Sequence, residues 1–497
     1  MIANMSINRT TVMKQHNLYH IIMMISVIMM VMFIHSSDCL ASPNLALNNH
    51  IHDTIMDSEL DDISTEETNS PNYNPELNTG SIDDSVITNE PKLAFVIFRH
   101  GDRSPYNFPK DDSFAAEADT IWPNGPGLLT NQGKRRAYQL GKYLAQRYSH
   151  LLADSSPRKV VARASNVDRC IATTLTVLAG AMKPQKQWVW ADENTQPQLS
   201  AWQPVAVHDR GDMLNVDAPC PRSIQQSEAV MDYARYGAEF ERQHSYLPVP
   251  PARIKQLLIA SSGFRFKSLF DYYDADSNLS IENATATQSA QAEPHSTQLL
   301  NQLPSWYTEE AAESLAQLAS SANLRYVHTI QLKRFNTGLL IDDIVQRIST
   351  WIQTNGNYTS SDAQIARVFF YGTHDTNVEA IMESLGAWRA KRDKTPGFVS
   401  SILIEVYRKS DRDDHEIKLF YNNRFPIDSS DWQTAARNDN LYEQRQMAVC
   451  LQSITVAPSS HLSKPIYSAT RRCTLPALAT GTRHIRLTRD QWQAECN

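Results

Sequence analysis

Positive charge is missing from one stretch of this chain, and cysteine is scarce throughout it. Between Ser42 and Pro91 there is no Lys or Arg, against 11 Asp and Glu, so the formal charge of −7 belongs to that stretch and the remainder is slightly basic. So even a balance excludes the concentrated basic face of a nucleic-acid binder. Six cysteines occur among 497 residues, none in C-x-x-C spacing, which leaves no signal for a thiolate metal site. After Ile21–Ile34 there is no second long apolar run, and Gln491 to Asn497 is polar, so no C-terminal membrane or lipid anchor is expected. Internal repeats are absent as well. What remains, 41% hydrophobic residues and 16 glycines, fits an ordinary globular protein. The length allows several small domains or one large domain with insertions.

The N-terminus reads as a targeting segment. Arg9 and Lys14 precede the uncharged apolar run Ile21–Ile34, which is followed by His35-Ser36-Ser37-Asp38-Cys39-Leu40-Ala41. A run of 14 residues falls short of the roughly 20 that a membrane helix needs. The expectation is therefore a signal peptide over 1–41, cleaved near Ala41. The alternative is an uncleaved signal anchor accommodated by local thinning of the bilayer; only in that case is a membrane a partner. Residues 42–91 are polar and acidic with few aromatics, cannot bury enough apolar area to offset ordering entropy, and read as disordered. Asn-x-Ser/Thr acceptors at Asn278, Asn283 and Asn357 agree with secretion. In an oxidising lumen the five cysteines after Cys39 would divide into two disulfides and one buried thiol. Cys170, which opens an apolar helical stretch, is the candidate for the free one.

Order starts abruptly at Leu93-Ala94-Phe95-Val96-Ile97-Phe98, an unbroken apolar run of the kind buried on both faces of a parallel sheet. After a long connection to Thr130-Asn131-Gln132-Gly133, the residues Tyr138, Leu140, Tyr143, Leu144 and Tyr148 recur at roughly helical spacing. A second strand candidate, Lys159 to Ala162, leads into Arg163 and then a helix from Val167 to Met182. Residues 222–332 are mostly helical in pattern, with polar loops, which predicts an insertion covering one end of the sheet. The core is then expected over 92–221 and 333–497. A helix from Leu339 to Ile352 returns to it, and Ala366 to Tyr371 gives a third buried strand ending at Gly372-Thr373-His374-Asp375. Ser401 to Tyr407 and Ile417 to Tyr421 have the alternation of a hairpin. The class is α/β: a mostly parallel sheet flanked by helices, with a smaller helical insertion.

Three polar clusters each follow a buried strand: Arg99-His100 with Arg103, then Arg163, then His374-Asp375. Ligands of open α/β sheets bind beyond the carboxyl ends of the strands, so neighbouring strands would bring the three clusters into one crevice. Arginine forks match phosphate oxygens in planar, bidentate fashion. Three of them around a nucleophile point to phosphoryl transfer. Blander readings apply elsewhere. Asp168 and Arg169 read as a structural ion pair, Asp102 as a turn or arginine-orienting residue, and His415 as a solvated residue on a hairpin turn. Trp202 and His208 read as packing or surface residues.

The run Arg99-His100-Gly101-Asp102-Arg103-Ser104-Pro105, together with Thr373-His374-Asp375-Thr376, resembles the histidine acid phosphatase family, and within it the animal acid phosphatases of prostatic and lysosomal type. The likeness extends to Trp122-Pro123, Leu129-Thr130 with Gly133, Arg163-Ala164-Ser165-Asn166-Val167-Asp168-Arg169, Trp202-Gln203-Pro204-Val205 with His208, and Cys220-Pro221-Arg222. It covers essentially all of 92–497, weakly across the insertion. The resemblance implies a phosphoglycerate-mutase-like core and an acid phosphatase of phosphate monoesters that uses no metal or other cofactor. His100 would become phosphohistidine, Arg99, Arg103, Arg163 and His374 would hold phosphoryl oxygens, and Asp375 would protonate the leaving alcohol. It also implies disulfides Cys220–Cys496 and Cys450–Cys473, a homodimer contact near Trp202 and His208, and a secreted or lysosomal location. A third family disulfide, expected near Ser277 and Ser401, is missing, and 42–91 is an addition to the pattern. Two alternatives stay open: a Golgi-anchored glycan phosphatase with 42–91 as its stem, and a catalytically silent secreted protein on the same scaffold.

Overall fold

The computed structural model describes residues 90–104, 122–192, 201–216, 220–235, 238–262, 308–354, 366–408, 415–426, 433–434, 441–451, 453–455, 467–469 and 472–497. The expected signal segment, nearly all of the acidic segment and the acceptors Asn278, Asn283 and Asn357 lie outside those residues. In chain order the elements that matter are β1 (Leu93–Arg99), α1 (Asn131–Arg147), β2 (Val160–Ala164), α2 (Asp168–Ala181) and β3 (Val207–Asp209). The helices α3 (Pro221–Arg235), α4 (Pro251–Ser262), α5 (Glu309–Asn323) and α6 (Ile330–Gln353) follow. Then come β4 (Val368–Thr373), α7 (Asp375–Ser384), β5 (Ser401–Arg408), β6 (His415–Asn422), β7 (Glu443–Arg445), α8 (Leu475–Gly481) and α9 (Arg489–Cys496).

Seven strands form one mixed sheet in the order β3-β2-β4-β1-β5-β6-β7. The half from β3 to β1 is parallel, and β5 to β7 add to it in antiparallel fashion. β1 lies inside the sheet with all of its residues buried, which is why its sequence is apolar without alternation. Its two faces serve two cores. Leu93, Phe95 and Ile97 pack with α6, α7, α8 and α9, whereas Ala94, Val96 and Phe98 pack with α1 and α2. Phe95 stacks on Phe369 of β4 with ring centroids 4.9 Å apart. Each such aromatic contributes about 1.5–3 kcal/mol by burial alone. The helices start on sequence signals: the Thr130 hydroxyl caps α1 by accepting from Gly133 N, Thr329 caps α6, and Thr488 with Gln491 makes a capping box on α9.

The register sets the position of the site. Arg99 lies opposite Thr373, Ala164 opposite Gly372, and Phe98 opposite Ser401. The ends of β1, β2 and β4 and the start of β5 are therefore level at one edge of the sheet. The described parts of 221–323 are largely helical, and Leu247, Ile254, Leu315 and Leu318 form a small apolar cluster of their own there. The expected insertion boundaries fall at the start of α3 and within the first turn of α6.

Cys220 is joined to Cys496 and Cys450 to Cys473, and Cys170 is free and buried. The first bridge ties the start of α3 to the end of α9. His415 departs from expectation: it is buried, and its ring meets Trp351 edge-on at 5.3 Å. Pairing of β6 with β5 pulls this first strand residue over α6, which charges around the turn could not reveal. α7 was also illegible, because its short apolar pattern hides behind His374-Asp375.

Candidate active site

Beyond the end of β1 the chain must bend sharply while staying against α1. At Gly101 a Cβ would sit 2.7 Å from the carbonyl oxygen of Gly133, and at Gly133 it would sit 2.1 Å from that of Asp102. Two glycines on opposite sides of one contact allow the loop to lie on the first turn of α1. The loop is held there by Asp102, whose oxygens accept from Arg136 at 2.7 and 3.1 Å. Asp102 is thus an arginine-orienting residue, although the arginine it orients belongs to α1 and not to the loop. The amide of Gly101 donates to Thr173 Oγ1 of α2 at 2.9 Å.

This loop presents His100 in one state. The ring is 2% exposed, and its Nδ1 lies 2.9 Å from the carbonyl of Gly101. A carbonyl only accepts, so Nδ1 carries the proton and Nε2 of the neutral ring keeps its lone pair. Burial holds the His100 pKa well below its ordinary value, and Arg169, Arg99, His374 and Arg103 lower it further. The ring of His374 meets it at 5.7 Å in a T-shaped arrangement. His374 is driven down to about 3, by burial first and then by Arg169. Its Nδ1 accepts from Arg169 Nη2 at 3.4 Å, and its Nε2 lies 2.9 Å from the hydroxyl of Ser165. Cys170 sits behind the same ring, its Sγ 3.6 Å from Nε2, and burial pushes that thiol up to about 12. It is a packing residue and not a reactive thiol.

Asp375 opens α7. Its Oδ2 is 3.0 Å from Arg99 Nη2, and its Oδ1 accepts from the amide of Thr376 at 2.8 Å. Burial would raise its pKa, but Arg99, the Thr376 amide, His374 and Arg103 together hold it below the ordinary carboxylate value. Arg99 also donates to Pro396 O at 2.8 Å and lies 4.3 Å over the ring of Phe398. Arg103 is buried and donates to Ser104 O at 3.0 Å.

Arg163 does not join this group. Alternation along β2 turns it toward α6, where its Nη1 is 2.9 Å from Asp343 Oδ2. Asp343 also binds Arg347 and the hydroxyl of Tyr371. The place expected for Arg163 is taken by Arg169 in the first turn of α2, reaching His374. The sequence alone reads Arg169 as a structural ion-pair partner. The signal that could have found it was its place one residue into a helix that starts at the sheet edge. Trp202 is 41% exposed and packs edge-on against Trp190 at 5.9 Å, and His208 lies on the edge strand β3.

Among the described residues, one edge of the sheet therefore carries His100 with its unprotonated Nε2, the arginines Arg99, Arg103 and Arg169, His374 and the carboxyl group of Asp375. The mouse prostatic acid phosphatase is 27% identical over 350 residues, covering 67% of this chain and 79% of the relative. The human one is 28% identical over 69% of this chain and 80% of the relative. The rat lysosomal acid phosphatase is 25% identical over 67% and 70%. Among solved structures, the phytase from Citrobacter braakii superposes with a TM-score of 0.50 at 16% identity, covering 82% of this chain and 99% of that one, a likeness of fold. Residues 92–422 match the model of the histidine phosphatase superfamily, branch 2, and with its histidine and arginines gathered at the sheet edge the chain belongs to that family.

Proposed function

We propose that this protein is an acid phosphatase that hydrolyses phosphate monoesters through a phosphohistidine on His100. The observation that carries the reading is the hydrogen bond from His100 Nδ1 to the Gly101 carbonyl. It leaves Nε2 unprotonated on a ring whose pKa is lowered by burial and by the nearby charges of Arg169, Arg99 and Arg103. Nε2 attacks phosphorus, and the bond from phosphorus to the ester oxygen breaks. The leaving oxygen takes a proton from Asp375. Water then attacks the phosphohistidine while Asp375, now ionised, takes its proton, and Nε2 leaves with its lone pair restored. The arginines hold the three equatorial oxygens as charge moves between them, which is where most of the rate enhancement arises.

The electrostatics account for acid operation. In the empty site Arg99 keeps Asp375 ionised, the wrong state for an acid. A bound phosphoryl group draws Arg99 onto itself and sets an anion beside Asp375, and both changes favour the protonated carboxyl. Lower pH helps further, while burial and arginines keep His100 neutral. We also propose that the chain enters the secretory pathway, a reading supported by its two disulfides. No metal participates in this scheme, so chelators are expected to leave turnover unchanged; a loss restored by a divalent cation would argue for another mechanism. Quenching into alkali, in which the P–N bond of phosphohistidine survives, during turnover of an aryl phosphate labelled in its phosphoryl group tests the central claim. Label retained on wild-type protein and absent from His100→Ala supports it, and equal labelling of both overturns it.

A further inference from the structure

The proposed reaction uses arginines at the floor of the site, but one more lies at its rim. β6 ends at Asn422, which is level with Ser401 of β5, itself level with Phe98 of β1. The residues after β6 therefore leave the sheet at the height of the His100 loop. Backbone bonds place the intervening segments side by side: Val399 N donates to His100 O at 3.2 Å, and Gly397 N donates to Asn423 O at 2.8 Å. Arg424 follows at once. Its neighbour Phe425 is fully buried, and the Phe425 carbonyl accepts from Arg136 at 2.5 Å, so the backbone here is pinned. The stem of Arg424 packs against Gly397, and its guanidinium reaches back to 3.9 Å from Asp102 Oδ1.

That carboxylate is already engaged. Arg136 takes both oxygens of Asp102 at hydrogen-bond distance, leaving Arg424 an outer share. The Arg424 side chain is 39% exposed, unlike the arginines beneath it. Its surroundings are unfavourable for a cation: burial of its inner part, Arg136 and Arg99 weaken it, while Asp102 supports it. Among the described residues, Arg99, Arg136 and Arg424 are grouped here with the carboxylates of Asp102 and Asp375. Arg424, at the exposed end of that group and with an outer share of Asp102, is placed to meet a further negative charge beside the phosphoryl group.

We infer that Arg424 forms a rim subsite for a second anionic group on the substrate, so that the enzyme prefers phosphate monoesters carrying another negative charge on the leaving group. This deepens the proposed phosphatase reading and rests on it. Arg424 does not touch the reacting atoms; it selects among substrates by a charge pair at the mouth.

The test uses the full chain and two aryl phosphates that differ only in a ring carboxylate or its neutral carboxamide, compared at low salt and about pH 6, above the ordinary carboxylate range. Wild-type enzyme should favour the carboxylate ester in kcat/KM by about fivefold, the size of a half-exposed ion pair. In Arg424→Gln the two esters should become equal through KM, the carboxamide ester staying within about twofold of wild type. Arg424→Lys, which keeps the charge, should retain part of the preference, and salt should erode it in wild type alone. A ratio unchanged in Arg424→Gln, or both esters weakened equally, overturns the subsite and makes Arg424 an outer partner of Asp102. A wild-type enzyme that cleaves neither ester overturns the phosphatase reading instead. A melting midpoint for each variant separates loss of fold from loss of selectivity.

Discussion

Arg163 and Arg169 are separated by one turn of chain and end in opposite electrical surroundings. Arg163 faces Asp343, which also receives Arg347 and Tyr371, and Asp343 is held below its ordinary pKa: burial opposes ionisation, but the hydrogen bond and charge of Arg347, then Arg163, outweigh it. Arg169 faces two histidines that it helps to keep neutral. In one cluster Arg163 and Arg347 share the carboxylate of Asp343, which stays ionised. In the other, Arg169 lies beside two rings that stay neutral, a setting that favours a bound anion. The same residue type thus serves cohesion under the sheet and recognition at its edge, and the difference lies in which carboxylates come within reach.

Removing the nucleophile should have the largest effect. His100→Ala is expected to cut turnover by about 10⁴-fold or more, the loss of the group that forms the covalent intermediate. Substantial residual turnover would remove His100 from the reaction. Next comes Asp375→Asn, which should slow alkyl esters by about 10²-fold to 10³-fold and aryl esters, whose leaving oxygens need little help, by less. Equal slowing of both would end the general-acid assignment.

The contrast between the two arginines can be broken directly. Arg169→Ala should weaken inhibition by inorganic phosphate by about tenfold or more, the loss of a charge-assisted pair. Arg163→Ala should leave that inhibition within about twofold and lower stability by about 1–2 kcal/mol, because Arg347 still faces Asp343. If Arg163→Ala abolished phosphate inhibition while the fold persisted, the two clusters would have to exchange roles.

The smallest and broadest effect concerns pH. His100 and His374 both have folded-state pKa values lowered from 6.5. Below about pH 6.5 the unfolded chain takes up protons that the folded site refuses, so stability falls as pH drops toward 3. Bound phosphate should reduce the fall. Melting midpoints measured between pH 7 and 4 with and without phosphate would check this, and a midpoint that rose on acidification would show that these rings are protonated in the native protein.

Much of the site was legible residue by residue. The unbroken run Leu93–Phe98 announced a doubly buried strand, and a histidine between arginines at its end marked the candidate site. Asp375 was legible for the same reason, standing directly after β4. Arg163 misled because an arginine within a strand shows its position but not its face, and one step of alternation decides between the pocket and α6. Arg169 and Arg424 were harder still, since each enters through a register or a helix start that depends on distant segments. Asp102 illustrates the limit: its character could be read locally, but its partner Arg136 lies 34 residues on.

By itself the sequence determined the fold class and the family and marked His100 and Asp375 as candidates, because these depend on local patterns of burial and on short motifs whose chemistry is intrinsic to the residues. The tertiary structure decided that Arg169 and not Arg163 meets the paired histidines, which tautomer His100 adopts and which arginines share a carboxylate. Those depend on distances of a few ångströms between segments hundreds of residues apart, where Coulomb interactions and burial act and composition carries no information.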